Sequence, residues 1–484
     1  MASRYPSSSL WGRQSCLQAG LPAGWTRWKA GPQAEKPAPH LRGAMTLQLA
    51  VILVPVLFGM MGFAIDLGRL YLIRGELNQA ANAMALAAAA QLVGTSASLG
   101  NATAAAQQSL DDANHLGNKY NFGSLEIGQT TGNLTSTVND PAFFATVADA
   151  TGSSGSTGTE AGGTTARHVR ISLRADAPLL FWSMLPVGQS RKTPIAGQAV
   201  AGISAPLCTA CGIEPFAVAA LNTSDPVNFG FGDPGSGALF TFAFECIPTL
   251  SVINPVTAPP TLAGTVLQYV IINRLDLANG TLDESQQLYK SGAQGLAASP
   301  NPNPTGSPIP LACAGINDAS EMMWASAVPA SCSTIVAPSA SVSEAVCGLY
   351  SRFDNTAPPA VCTNDVTDFA GLSTLYPPDT DVVTGEADLY SAYTGNGRRI
   401  VTVPVVDVLG TNAAAVMTVI GFRQFLVEPN PDGSYPNPAD PYGRFVAQYI
   451  GSPAPVRQGW FDDHFGLGCP VPLTSGPGKV VLHQ

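Results

Sequence analysis

Four groups of residues in this chain have types and spacings from which chemistry is built. Cys208-Thr-Ala-Cys211 has the two-residue gap of a redox dithiol, a spacing that lowers one thiol's pKa. Gly230-Phe-Gly232-Asp-Pro-Gly235 fits the GxGxxG form of a dinucleotide loop. Asp379, Asp381, Glu386 and Asp388 could gather oxygen ligands around Ca²⁺, and Asp462-Asp463-His464 offers carboxylates and an imidazole to a metal or a hydrolytic reaction. Each group also has a plainer reading, which we prefer. Six further cysteines accompany the CxxC, so disulfides are expected there rather than redox or metal chemistry. The glycine motif opens no helix, because Pro234 interrupts it, and reads as a tight turn. The four acids do not have EF-hand spacing and read as a solvated acidic turn. Asp462–His464 reads as a surface loop before Cys469. HExxH, GxSxG and GxxxxGK[ST] are all absent. The expectation is therefore a protein that is not an enzyme, with no catalytic residue, metal, cofactor or small-molecule substrate.

The cysteines are informative through their placement. Cys16 lies before a long apolar run, whereas Cys208, Cys211, Cys246, Cys313, Cys332, Cys347, Cys362 and Cys469 all lie beyond it. An even set in an exported region predicts four disulfides, with the pairing left open.

The element that sorts them is the apolar run. Ala44 to Ile65 holds 22 residues without an ionisable side chain. As a helix rising about 1.5 Å per residue, it covers just over the roughly 30 Å of a bilayer core. It is longer than the apolar part of a cleaved signal and runs on into further helix, so it reads as one retained signal-anchor. Residues 1–43 carry six bases and one acid, a net of +5 against −15 for the rest of the chain, whose overall charge is −10. By the positive-inside rule the basic tail is cytoplasmic and the body lies across the membrane. An acidic body also argues against nucleic-acid binding.

The helix is expected to continue to Leu92, in a stretch rich in good helix formers. Asp66, Leu70, Ile73, Leu77, Ala80, Met84 and Ala87 follow a 3-4 spacing and form one seam. Such a seam can pack on the chain's own head, or it can face neighbouring subunits. Further on, Asn101–Leu116 reads as a short helix. His168–Ala175 alternates strictly, placing Val169, Ile171 and Leu173 on one face of a strand. Residues 151–166 and Asn301–Pro310 read as loops. Arg399–Val408 and Ala415–Val427 read as two strands, the first an edge strand or bulged because Pro404 lacks an N–H. Charged residues are only 12%, and Gly and Pro number 49 and 40, which excludes a long coiled coil.

Three stretches together resemble the TadE/TadG-like family of Flp-type (tight-adherence) pilus assembly. They are Arg42-Gly with the apolar run through Pro55, then Gly62-Phe-Ala-Ile-Asp66-Leu-Gly-Arg69-Leu-Tyr71, then the Ala-rich Leu77–Ala87. RIVTVPVVDV followed by GFRQF is similar to the C-terminal region of some TadG-like proteins. The TadE branch has Glu where this chain has Gln48, and TadG-like members usually have Asp where it has Asn82. Because Gln48 carries no charge, the TadG-like branch fits better. Asp318-Ala-Ser320-Glu-Met322 lacks the last Ser of a metal-binding DxSxS, so no von Willebrand A domain is carried over.

The resemblance implies a bacterial inner-membrane component of Flp/Tad pilus assembly, with other pilus-assembly proteins as partners. Its fold is expected to be α+β, one transmembrane helix extended into a pilin-like amphipathic helix, followed by a β-rich, disulfide-braced periplasmic head. The divisions are 1–43 cytoplasmic disordered tail, 44–92 transmembrane helix and extension, 93–205 pilin-like α+β region, and 206–484 β-rich periplasmic domain. Gly43-Ala44 resembles a prepilin-peptidase site. Cleavage there would leave an amine that neutral Gln48 cannot offset, so the chain is expected to stay uncut. The alternative is a membrane-tethered binding or adhesion module unrelated to pili.

Overall fold

The computed structural model describes residues 42–111, 134–136, 141–152, 160–182, 192–244, 264–271, 284–293, 313–316, 340–364, 366–381, 389–409, 417–461, 473 and 475–483. Glu386, Asp388, Asp462–His464, Asn301–Pro310, Asp318–Met322 and Cys246, Cys332 and Cys469 lie outside them, as do the sequence expectations that rest on those residues.

The longest element is α1, Arg42–Ala89, which runs unbroken through Pro55. The chain divides into two units between Met61 and Gly62. In the first unit every described side chain from Leu47 to Met61 is exposed, including Leu47, Ile52, Leu57 and Phe58. This helix is long and apolar enough to cross a membrane, with a mean hydropathy of 2.2 in its most apolar window.

Among the described residues, the second unit contains three sheets. The first is built from β1 (Leu134–Ser136), β2 (Ala142–Phe144), β3 (His168–Pro178), β4 (Lys192–Ile203) and β14 (Val480–His483). Its strands run in the order β1-β3-β4-β14, with β2 also pairing β3. The β3–β4 pair is antiparallel throughout, from His168 opposite Gly202 to Pro178 opposite Lys192. The expected alternation holds. Val169, Ile171, Leu173, Ala175 and Ala177 are buried, and they form one core with α1 and with α2 (Ser98–Asp111). β14 brings residues from the far end of the chain to the edge of this sheet.

The second sheet closes on itself. β6 (Phe216–Ala219), β7 (Leu239–Phe244), β8 (Thr265–Ile271), β10 (Ile400–Val406), β11 (Val419–Glu428) and β12 (Phe445–Gly451) form a barrel in the order β10-β11-β12-β7-β8-β6. Closure gives every strand of the wall a neighbour on both sides. Pro404 is accommodated as its missing N–H requires. β10 pairs fully with β11 on one side, joins β6 only at Val405 and Val406 on the other, and carries a register shift between those two residues. The interior is filled by rings. Phe242 stacks on Phe445 at 4.6 Å, and Phe425 meets Phe231, Phe240, Phe242 and Tyr449 at 5.1–6.2 Å. A third, small sheet joins β5 (Thr209–Cys211), β9 (Cys313–Gly315) and β13 (Gln458–Trp460).

Cys347 and Cys362 form a disulfide that closes a loop 15 residues apart, and Cys208 and Cys211 each take part in a disulfide. The backbone of Cys313 lies in register with Cys211 across β5 and β9.

Candidate helix-packing and membrane-boundary site

The residues with the best claim to function lie on α1 where the apolar run ends. Asp66 is the first ionisable residue after that run, and its carboxylate is buried. A buried carboxylate needs donors, and three backbone N–H groups supply them. Leu180 donates to Oδ1 at 2.9 Å, and Phe181 and Trp182 donate to Oδ2 at 3.0 and 2.9 Å. All three follow directly on the end of β3. Arg69, one turn further along α1, donates to the carbonyl of Pro178 at 3.4 Å. Gly62, one turn earlier, has no Cβ, and one placed there would lie 2.8 Å from the Cβ of Phe181. Gly62, Asp66 and Arg69 thus form a stripe that receives the chain as it leaves β3. The acid at the seam is held by backbone of its own chain.

The rest of the seam turns the same way. Ile73, Leu77, Ala80 and Met84 are buried in the core shared with β3 and β4, and Leu70 packs against it partly buried. At the seam's end the burial moves. Ala87 is half-buried, while Ala81, Ala85, Ala88 and Ala89 are fully buried. A straight helix of 3.6 residues per turn drifts by about 20° per heptad from a strict 3.5 repeat, so after three heptads the inward position has passed from Ala87 to Ala88. Small residues let the helix lie close on the sheet. A Cβ added at Gly197 of β4 would come within 2.9 Å of the Leu77 Cβ. The buried seam residues pack on the chain's own sheet.

The candidate chemical groups resolve into structural roles where they are described. Gly230 and Gly232 have φ of +79° and +97°, and the Gly230 N–H donates to Asp225 at 3.1 Å. Pro234–Ser236 forms a single 3₁₀ turn capped by Asp233, so the GxGxxG match is a turn and opens no α-helix. Asp379 and Asp381 depart from the solvated acidic turn expected of them. Both are turned onto Arg399, a side chain only 1% exposed. Its guanidinium meets Asp381 at 2.6 Å and Glu428 at 3.0 Å, and its backbone N–H donates to Asp379 at 3.1 Å. The Tyr393 hydroxyl also donates to Asp379. The guanidinium at their centre already neutralises one of these two carboxylate charges. Burial pushes the Glu428 carboxyl up to about 7, against the opposing pull of Arg399.

A second buried network escaped the sequence reading entirely. Arg352 donates to both carboxylate oxygens of Glu214 at 2.9 Å, and the Tyr289 hydroxyl donates to the same carboxylate at 2.9 Å. The partners lie 138 and 75 residues apart, so no local spacing could have revealed them. The Asp66 contact did leave a trace: an acid at a seam position, and a stretch from Ala177 to Ser190 with no ionisable side chain.

Residues 43–91 match the model of the Flp pilus-assembly TadE/G-like family. The match covers α1 almost whole, including Gly62, Asp66, Arg69 and the buried seam. It points to involvement in Flp/Tad pilus assembly and does not separate the TadE from the TadG branch. No curated protein and no solved structure matches the chain.

Proposed function

We propose that this chain is a non-enzymatic structural component of the Flp/Tad pilus-assembly machinery, of the TadG-like kind, anchored in the bacterial inner membrane by α1. The observation that carries the reading is the coincidence of the family match with a helix of two characters. Its first part is apolar and exposed, and its second part is buried on a sheet of the same chain. The basic residues 1–43 stay in the cytoplasm, and the acidic body, stabilised by disulfides, faces the periplasm. Because Gln48 cannot neutralise a new N-terminal amine, the chain stays uncut at Gly43 and remains a permanent membrane component. Its work is mechanical. The seam is filled from within, so contacts with other assembly proteins fall to surfaces outside the seam.

The test is genetic and microscopic. Deleting the gene should abolish surface Flp filaments, and the full chain should restore them. A variant carrying Val51→Arg and Val54→Arg, which puts two charges inside the span, should not restore them. Normal filaments in the deletion strain would overturn the assignment.

A further inference from the structure

The segment that leaves β3 has a feature that pilus assembly by itself does not require. Leu180, Phe181 and Trp182 are 51%, 40% and 47% exposed, three consecutive large apolar side chains on an acidic body. Their backbone N–H groups are all taken by Asp66. Asp225 closes an exposed turn in the same way, accepting from Val227, Asn228 and Gly230, so what sets this segment apart is the run of exposed apolar side chains beside the cap. At the edge of a bilayer each unsatisfied N–H is costly, and an internal acceptor removes that cost. The position on α1 agrees. Phe181 touches Gly62, in the last turn of the apolar run, and Asp66 is the residue just past that run. Phe and Trp are suited to the headgroup level, where an aromatic ring can face the acyl chains on one side and water on the other. A cation stands beside the segment: Arg69, which reaches the Pro178 carbonyl, is suited to anionic headgroups.

We propose that Leu180–Trp182 is a second membrane contact, seated in the lipid interface beside α1, with Asp66 as the positioning residue that closes its backbone. This rests on the reading of α1 as a span. Two points of attachment, one spanning and one interfacial, would fix the rotation of the body about α1, which a single helix cannot do.

The test uses the full chain in vesicles of phosphatidylethanolamine and phosphatidylglycerol containing lipids brominated either near the headgroup or near the acyl terminus. Trp182 is read as the difference between the protein and its Trp182→Phe variant. Shallow bromines should quench Trp182 at least twofold more than deep ones, and iodide should quench it weakly. A control carries Phe58→Trp in the Trp182→Phe background, placing the probe in the apolar run. If the indole introduced at position 58 is quenched by bromolipid and Trp182 is not, the second contact is wrong and the span stands. If neither is quenched, both fail. Trp182 protected from bromolipid and iodide alike would mean that a protein partner covers the segment, which also overturns the proposal. Asp66→Ala should raise iodide quenching of Trp182 in the same vesicles, and an unchanged value would remove Asp66 from its positioning role.

Discussion

The helix-and-sheet region and the barrel solve the same packing problem with opposite materials. Around α1 the core is rich in small residues: Ala80, Ala81, Ala85, Ala88, Ala89, Ala102 and Ala106 from the helices, and Ala175, Ala177, Ala199 and Ala201 from the sheet. The barrel is filled by Phe216, Phe242, Phe425, Phe445, Tyr269 and Tyr449. A large ring buries much apolar area, whereas an alanine buries little but lets two backbones come close. The barrel therefore draws its stability from side-chain volume and the helix contact from close approach over a long stripe. The two regions also differ in charge. In and around the barrel, Arg352, Arg399, Arg423, Glu214 and Glu428 are buried, whereas the buried acid on α1 is Asp66, satisfied by backbone. The lesson is that one region tolerates loss of volume poorly, and the other tolerates added volume poorly.

The largest expected effect lies at the buried ion pair. Arg352→Met takes the guanidinium from Glu214 and should cost about 3–5 kcal/mol in denaturant titration of the detergent-solubilised protein. The double variant Arg352→Met with Glu214→Leu should recover most of that loss, because no carboxylate is then buried without its cation. A double variant as unstable as the single would show that the site depends on shape rather than on charge.

Next comes the helix contact. Ala88→Leu forces added methylenes into the close contact of α1 with the sheet and should cost about 1–3 kcal/mol. Ala87→Leu, one position round, should stay within about 0.5 kcal/mol. Equal losses at the two positions would return the seam to the strict 3-4 repeat.

The smallest effect is a pH slope. The folded chain holds a proton on Glu428 up to about pH 7, while in the unfolded chain that group ionises near its ordinary 4.5. Its contribution to stability is therefore complete below 4.5 and is lost as the pH rises through 7. His168 works in the other direction. Burial, helped by His483 and Arg167, pushes its pKa down to about 4, so its contribution is present above 6.5 and is lost as the pH falls through 4. Between pH 6.5 and 7.5 the two slopes oppose each other, and the Glu428 slope, up to about 1 kcal/mol per pH unit, is the larger. Glu428→Gln should flatten the decline in thermal midpoint over that window, and an unchanged slope would assign it to another group.

What was legible in the sequence follows the range over which each signal acts. The apolar run, the alternation of Val169, Ile171 and Leu173, and the bulge beside Pro404 are local patterns, and each fixes an element by itself. The seam was legible except at its end, where a 3.5 repeat and a 3.6 helix part company at Ala87 and Ala88. The barrel was legible only as a β-rich region, because its closure depends on β6 meeting β10 across nearly 190 residues of chain, from Val218 to Val405. The spacing of Asp379 and Asp381 is visible in the sequence, but it does not reveal Arg399 and Glu428, which complete their surroundings.

The most direct test of the account is the side of the membrane on which the body lies. Alkaline phosphatase, active only after export, is fused after Gln484, next to β14 in the sheet that packs on α1. The account predicts an active fusion of full length that sediments with the inner membrane. A full-length fusion that is present but inactive would contradict it.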